Sequence, residues 1–268
     1  MSARPAPPPL PRRLVAEFIG TALLLIAVVG SGIAASAMSP GDVGLQRVEN
    51  AAATAAALVA IIVAVGPVSG AHLNPIVTLA DRVFGGLTTG QAAAYMAVQA
   101  AGGVLGVILA NLMFSLPGVE LSTTVRRSPG LWLAEVIATF GLLLVIFGAL
   151  RSQRASVAPF AVGAYIGGAY FFTASTSFAN PAVTAARMFT NTFAGIAPAS
   201  APAFMGAQLL GAAVAIAVVR FLYPTVAEIA PDILVPHPRS EVEPPSPGAR
   251  EQPSDRLRER TGKRKEAS

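Results

Sequence analysis

Two Asn-Pro pairs are the most chemically unusual feature of this chain. They lie in SGAHLNPIVT (69–78) and FANPAVTAAR (178–187), each within an otherwise apolar stretch. Asn is a strong helix N-cap, and Pro fits the first helical turn, where its missing N–H leaves no bond unmade. Such polar helix starts are tolerated at membrane depth only where they line a water-filled cavity. Two carboxylates, Glu17 and Glu135, also sit in apolar runs. On residue type alone, an intramembrane acid pair reads as a proton relay. Other chemistry is missing. The chain has no Cys, and its two histidines, His72 and His237, are far apart in sequence and lack evident metal partners. No disulfide, metal or cofactor is expected. With no nucleophile–base pair and no phosphate loop, an enzyme is excluded on this reading.

The elements that must position these residues follow from composition. Of 268 residues, 53% are hydrophobic and only 12% are charged, against about 25% in soluble domains. Eight Lys/Arg and eight Asp/Glu fall between Val226 and Ser268, leaving the rest nearly charge-free. An integral membrane protein with a solvated, disordered tail (224–268) is expected. The net charge of +5 carries no basic stripe, so nucleic acid is not an expected partner. Six apolar segments are long enough to cross a bilayer: 14–37, 50–68, 88–115, 130–150, 155–173 and 199–223. Two pieces starting at Asn74 and Asn180 run about 11 residues, or about 16 Å, roughly half the hydrocarbon core. Arg12, Arg13, Arg151 and Arg154 flank spans on one side. With the basic tail they place both termini in the cytoplasm, although Arg47, Arg126 and Arg127 fall on the opposite side.

The two halves repeat. Ala16-Glu17 matches Ala134-Glu135, YMAVQAAG (95–102) matches FMGAQLLG (204–211), and NPIVTLA (74–80) matches NPAVTAA (180–186). Three spans per half is an odd number, so the halves insert in opposite senses, as an inverted repeat. The expected fold is all-α: a cytoplasmic N-terminal segment (1–13), a first repeat (14–115), a connecting loop on the outer side (116–129), a second repeat (130–223) and the tail. Each repeat supplies three transmembrane helices and one re-entrant half-helix.

With their symmetric Glu and Gln residues, the paired motifs resemble the major intrinsic protein family, the aquaporins and aquaglyceroporins, over roughly residues 14–223. The resemblance implies a homotetramer in the cell membrane with one pore per protomer. It implies that Asn74 and Asn180 present N–H groups to a solute at mid-pore. Carbonyls of Gly70, Ala71 and His72, and of Ser177, Phe178 and Ala179, would form an acceptor ladder. Glu17 and Glu135 become supports for the re-entrant loops rather than a proton relay. His72 reads as a loop support beside the pore or as a titrating gate.

The family's second motif usually places Arg immediately after Asn-Pro-Ala, and here that residue is Val183. Carrying the family's selectivity filter over by spacing gives Thr54, Gly168, Ser177 and Val183, a wide and nearly neutral set. Val183, Thr184 and Arg187 most resemble the bacterial arsenic-resistance-associated branch, which implies passage of arsenite and other metalloid hydroxides. A general glycerol, water or urea facilitator is the alternative, and a secondary active transporter is a third class. Arg187 lies one turn beyond Val183. It either reaches the outer vestibule, caps loop carbonyls or pairs with an acid such as Glu120. Ile76 stands where the family usually has Ala and would add bulk beside Asn74.

Overall fold

The computed structural model describes residues 8–151 and 155–224. The tail from 225, His237 and Arg154 lie outside them. The described chain is helical: α1 (Leu10–Met38), α2 (Val43–Ser69), α3 (Pro75–Val83), α4 (Thr89–Met113), α5 (Pro129–Arg151), α6 (Ala158–Phe172), α7 (Pro181–Ala186) and α8 (Ala201–Leu222). Five of these are long and apolar enough to span a membrane. The sixth, α6, has 15 residues and is extended by the 3₁₀ turn Ala155–Val157, with Pro159 in its opening turn.

Packing repeats with the sequence. Helix α1 packs on α2 and α4, while α5 packs on α6 and α8. Half-helix α3 leans on α4, and α7 leans on α8. Contacts between the halves run α2 to α6, α4 to α7, α3 to α8 and α3 to α7. This is the aquaporin-like inverted repeat. Close helix approach depends on small residues. A Cβ on Gly102 would overlap the Phe18 carbonyl of α1, and one on Gly211 would overlap the Val136 carbonyl of α5. These two glycines hold matching places in the two repeats.

Three of the element boundaries that differ from the sequence reading change the place of a named residue. Helix α2 starts seven residues early, because Asp42 caps it by accepting from Leu45 N–H at 2.9 Å. Arg47 therefore belongs to a helix rather than a loop. Helix α1 starts at Leu10, and its Arg13 is buried, donating from Nε to the Tyr95 hydroxyl at 2.7 Å. Arg13 is thus a structural residue and not a solvated flank. Helix α7 runs six residues and tightens into the 3₁₀ turn Arg187–Phe189. Its end is pulled out of α geometry by the connecting loop: Ser122 N–H bonds the Met188 carbonyl and Glu120 N–H bonds that of Phe189.

Filling the space between α1 and α4 should destabilise the fold. Gly102→Val is expected to cost about 1–3 kcal/mol, read as earlier unfolding in a mixed-micelle denaturation series. Gly206→Ala, at a position with nothing within 4 Å of the added Cβ, should not unfold earlier than the parent.

Candidate functional site

The loops leading into α3 and α7 use backbone that most residues avoid. Ala71 and Leu73 have φ of 49° and 51°, and Thr176, Ser177 and Ala179 have φ of 64°, 51° and 48°. The left-handed region costs a non-glycine residue about 1–2 kcal/mol. What holds each loop there is a buried carboxylate. Glu17 accepts the N–H groups of His72 at 2.9 Å and Leu73 at 2.7 Å, plus the Ser69 hydroxyl at 2.6 Å. Glu135 accepts the N–H groups of Phe178 and Ala179, both at 2.9 Å. Hydrogen bonds to a charged acceptor contribute about 1.5–3 kcal/mol each, enough to offset the local backbone cost.

A glutamine stands behind each acid. Gln99 Nε2 donates to Glu17 at 2.8 Å and to Thr78 at 2.9 Å. Gln208 Nε2 donates to Glu135 at 2.6 Å and to Thr184 at 2.9 Å. The same Thr78 hydroxyl hydrogen-bonds His72 Nδ1, 3.1 Å away. The other ring nitrogen, Nε2, lies 3.8 Å from Asp81 Oδ2. His72 thus braces the loop against α3.

The asparagines make three kinds of contact. Asn74 Oδ1 accepts from Ile76 N–H at 2.9 Å, and Asn180 Oδ1 accepts from the N–H groups of Ala182 and Val183 at 2.9 and 3.2 Å. These are N-caps. Each Nδ2 also donates across the symmetry axis: Asn74 to the Ala179 carbonyl and Asn180 to the Leu73 carbonyl, both at 2.8 Å. Each amide keeps a second hydrogen, and both asparagines line one cavity with a volume of about 110 Å³. That is room for several waters.

The cavity wall also contains Thr54, Gly70, Ala71, His72, Val77, Ser177, Phe178 and Val183. Val77 and Val183 face it from matching places in the two half-helices. The Ser177 hydroxyl is buried and has no hydrogen-bond partner among the described residues.

Four sequence expectations need correcting. Gly168 is exposed and is not part of the wall. The wall of α6 is Ala158, Val162, Ile166 and Tyr170, a run of i, i+4 positions, and residue 168 falls on another face. Tyr170 stands in its place, its hydroxyl 3.4 Å from Thr54 Oγ1. Ala179 is fully buried and its carbonyl accepts from Asn74, so it leaves the acceptor ladder. Ile76 is 1% exposed, packs into the core and does not narrow the cavity.

Fourth, the wall is not neutral. Arg187 lines the cavity, its guanidinium carbon 3.5 Å from the Phe178 ring centroid. Its Nε donates to the Ala194 carbonyl, while Glu120 is engaged by Asn191. Arg187 therefore both caps a loop and lines the cavity. Arg126, which the sequence reading gave no role, lies over the same ring at 5.1 Å and donates to the Gly195 carbonyl at 3.0 Å. Burial draws the Arg126 guanidinium below its ordinary range, while the charge of Glu135 pulls it back.

A model of the major intrinsic protein family matches residues 7–178. The chain belongs to the major intrinsic protein family. That match stops short of the second Asn-Pro motif, where the sequence departs from the usual Arg. The chain is 49% identical over 227 residues to aquaglyceroporin AqpS of Rhizobium meliloti, covering 83% of this chain and 97% of that one. It is 31% identical over 166 residues to aquaporin Z of Bradyrhizobium diazoefficiens, covering 57% and 68%. Its fold resembles the aquaglyceroporin from Plasmodium falciparum (TM-score 0.63, 22% identity, covering 81% of this chain and 99% of that one). Membership of this channel family makes the chain a passive membrane channel and not an enzyme.

Replacing an acceptor oxygen under the second loop should be felt throughout this site. Glu135→Gln turns one acceptor into a donor facing N–H groups. A loss of about 1–3 kcal/mol is expected, measured as a lower melting temperature of the purified protein, with solute flux falling in parallel.

Proposed function

We propose that the pore passes small uncharged polyhydroxy solutes larger than water, with metalloid hydroxides such as As(OH)₃ first among them. The observation that carries this reading is the Val77–Val183 pair. Two matched, uncharged side chains stand where a family filter would hold Arg on one side. The wall is largely aliphatic, with the loop carbonyls and the second amide hydrogens of Asn74 and Asn180 as a polar rail, and with Thr54, Tyr170 and Arg187 as further polar groups. A solute with hydroxyls on one face can exchange water for that rail without meeting a deep trap. Glycerol and trihydroxy metalloids share that shape. The half-helices α3 and α7 each point a positive N-terminal dipole at the cavity centre, which repels cations and hydronium.

Tyr170 favours a second reading within the same class. It narrows the wall that spacing left open at Gly168, which suits a facilitator of water and glycerol. The relation to a protein named an aquaglyceroporin supports either polyol reading. We further propose the family's homotetramer, with both termini cytoplasmic and Arg187 at the outer mouth. In this reading the direction of net flux follows the solute gradient alone.

Stopped-flow measurements of water, glycerol and arsenite flux in proteoliposomes test the proposal. Val183→Arg is expected to lower arsenite and glycerol flux by at least about tenfold, the effect of roughly 1.4 kcal/mol on the barrier. Unchanged flux in that variant would refute the filter assignment. Rapid water flux with no arsenite flux would leave only the second reading. Tyr170→Ala should raise glycerol flux relative to water; if the ratio does not move, Tyr170 does not set the width.

A further inference from the structure

A second cavity, of about 90 Å³, adjoins the Arg187 mouth and is lined by Arg47, Arg126, Arg187, Tyr170 and Thr176, among others. Three guanidiniums come from three distant parts of the chain: α2, the connecting loop and the end of α7. None is paired with a carboxylate among the described residues, where the one close pair of opposite type is His72 with Asp81. Arg187 is 4% exposed, and its hydrogen bonding ends at Nε. Its two terminal amino groups make no bond to the protein. Arg47 Nε is buried and has no partner. Arg126 spends its Nε and one terminal nitrogen on the carbonyls of Gly195 and Phe193. Arg126 and Arg187 share the Phe178 ring, and one ring face offers only modest compensation for gathered charge.

Arg187 is buried and Arg47 and Arg126 are half-buried, and unpaired cations gathered away from bulk water are costly unless something neutralises them. The planar fork of Arg fits oxyanions, two parallel N–H groups meeting two oxygens. We propose that this cavity binds a small phosphate-type oxyanion between Arg47, Arg126 and Arg187, and that the bound anion plugs the solute path beside Tyr170. The plug depends on the pore reading above; the binding site does not. The same chemistry is offered by free inorganic phosphate and by the headgroup of an anionic phospholipid.

The test uses the full chain. Titration calorimetry with inorganic phosphate in maltoside micelles reads the site directly. Glycerol flux in proteoliposomes, with phosphate equilibrated on both sides and chloride as the ionic-strength control, reads the plug. Saturable binding is expected, with glycerol flux falling over the same phosphate range and unaffected by chloride. Arg47→Gln should weaken both effects about tenfold, the loss of one charge-assisted contact. Arg126→Gln should do the same, and Arg47→Lys should recover part of the loss. Absence of phosphate heat in the folded parent protein overturns the site. Binding without loss of flux overturns the plug. If no solute passes in any condition, the pore reading fails while the calorimetry still decides the site. Phosphate binding in micelles that disappears in phosphatidylglycerol nanodiscs, but persists in phosphatidylcholine ones, assigns the site to a lipid headgroup; binding that persists in both assigns it to free phosphate.

Discussion

Two buried carboxylates hold this protein's pore in shape. The two asparagines at the cavity centre follow loops whose backbone is locally unfavourable, with non-glycine residues at positive φ in both. Each loop is held by one glutamate that accepts two consecutive backbone N–H groups. A buried carboxylate is itself costly, and it is stable here because its oxygens are surrounded by donors. The same bonds that satisfy the acid fix the loop. This explains why the acids occur once per half and why a glutamine from a neighbouring span accompanies each.

Duplication carries the design outward from those anchors. Glu, Gln, Thr and Asn recur in both halves, with the Glu–loop, Gln–Glu, Gln–Thr and crossed Asn bonds repeated, so one local solution serves twice. The asymmetries are correspondingly informative. His72 in the first half braces α3 through Thr78 and stands by Asp81, whereas its counterpart Phe178 in the second half serves as a platform for two guanidiniums. One side of the cavity is therefore organised around an imidazole–carboxyl contact and the other around clustered guanidiniums.

The repeat, the half-helices and the Glu–Gln supports could be read in the sequence because they depend on residue types at fixed local spacing. Tyr170 could not, because its wall position depends on the rotational setting of α6, and counting residues back from Asn180 through an irregular loop loses that phase. Arg126 was also hidden. It reaches the site only because the connecting loop docks on the segment after α7, through Ser122 to Met188, Ala197 to Thr124 and Arg126 to Ser200. Arg13 looked like a membrane flank, since nothing in the local sequence announces Tyr95 as its acceptor. Val183 was visible in the sequence, and so was Arg187 one turn later. That Phe178 offers the Arg187 guanidinium a surface was not, because the contact depends on how the loop before α7 folds.

The crossed asparagine bonds also bear on how the molecule assembles. Each joins residues more than a hundred positions apart, 105 in one case and 107 in the other. Contacts of such long sequence separation form late, after the segments between them are in place. The spans can enter the bilayer one after another, but neither half-helix has its final partner until both halves are inserted. The conduit is thus a product of the last docking step. A half-made chain holds no pore through which the membrane could leak.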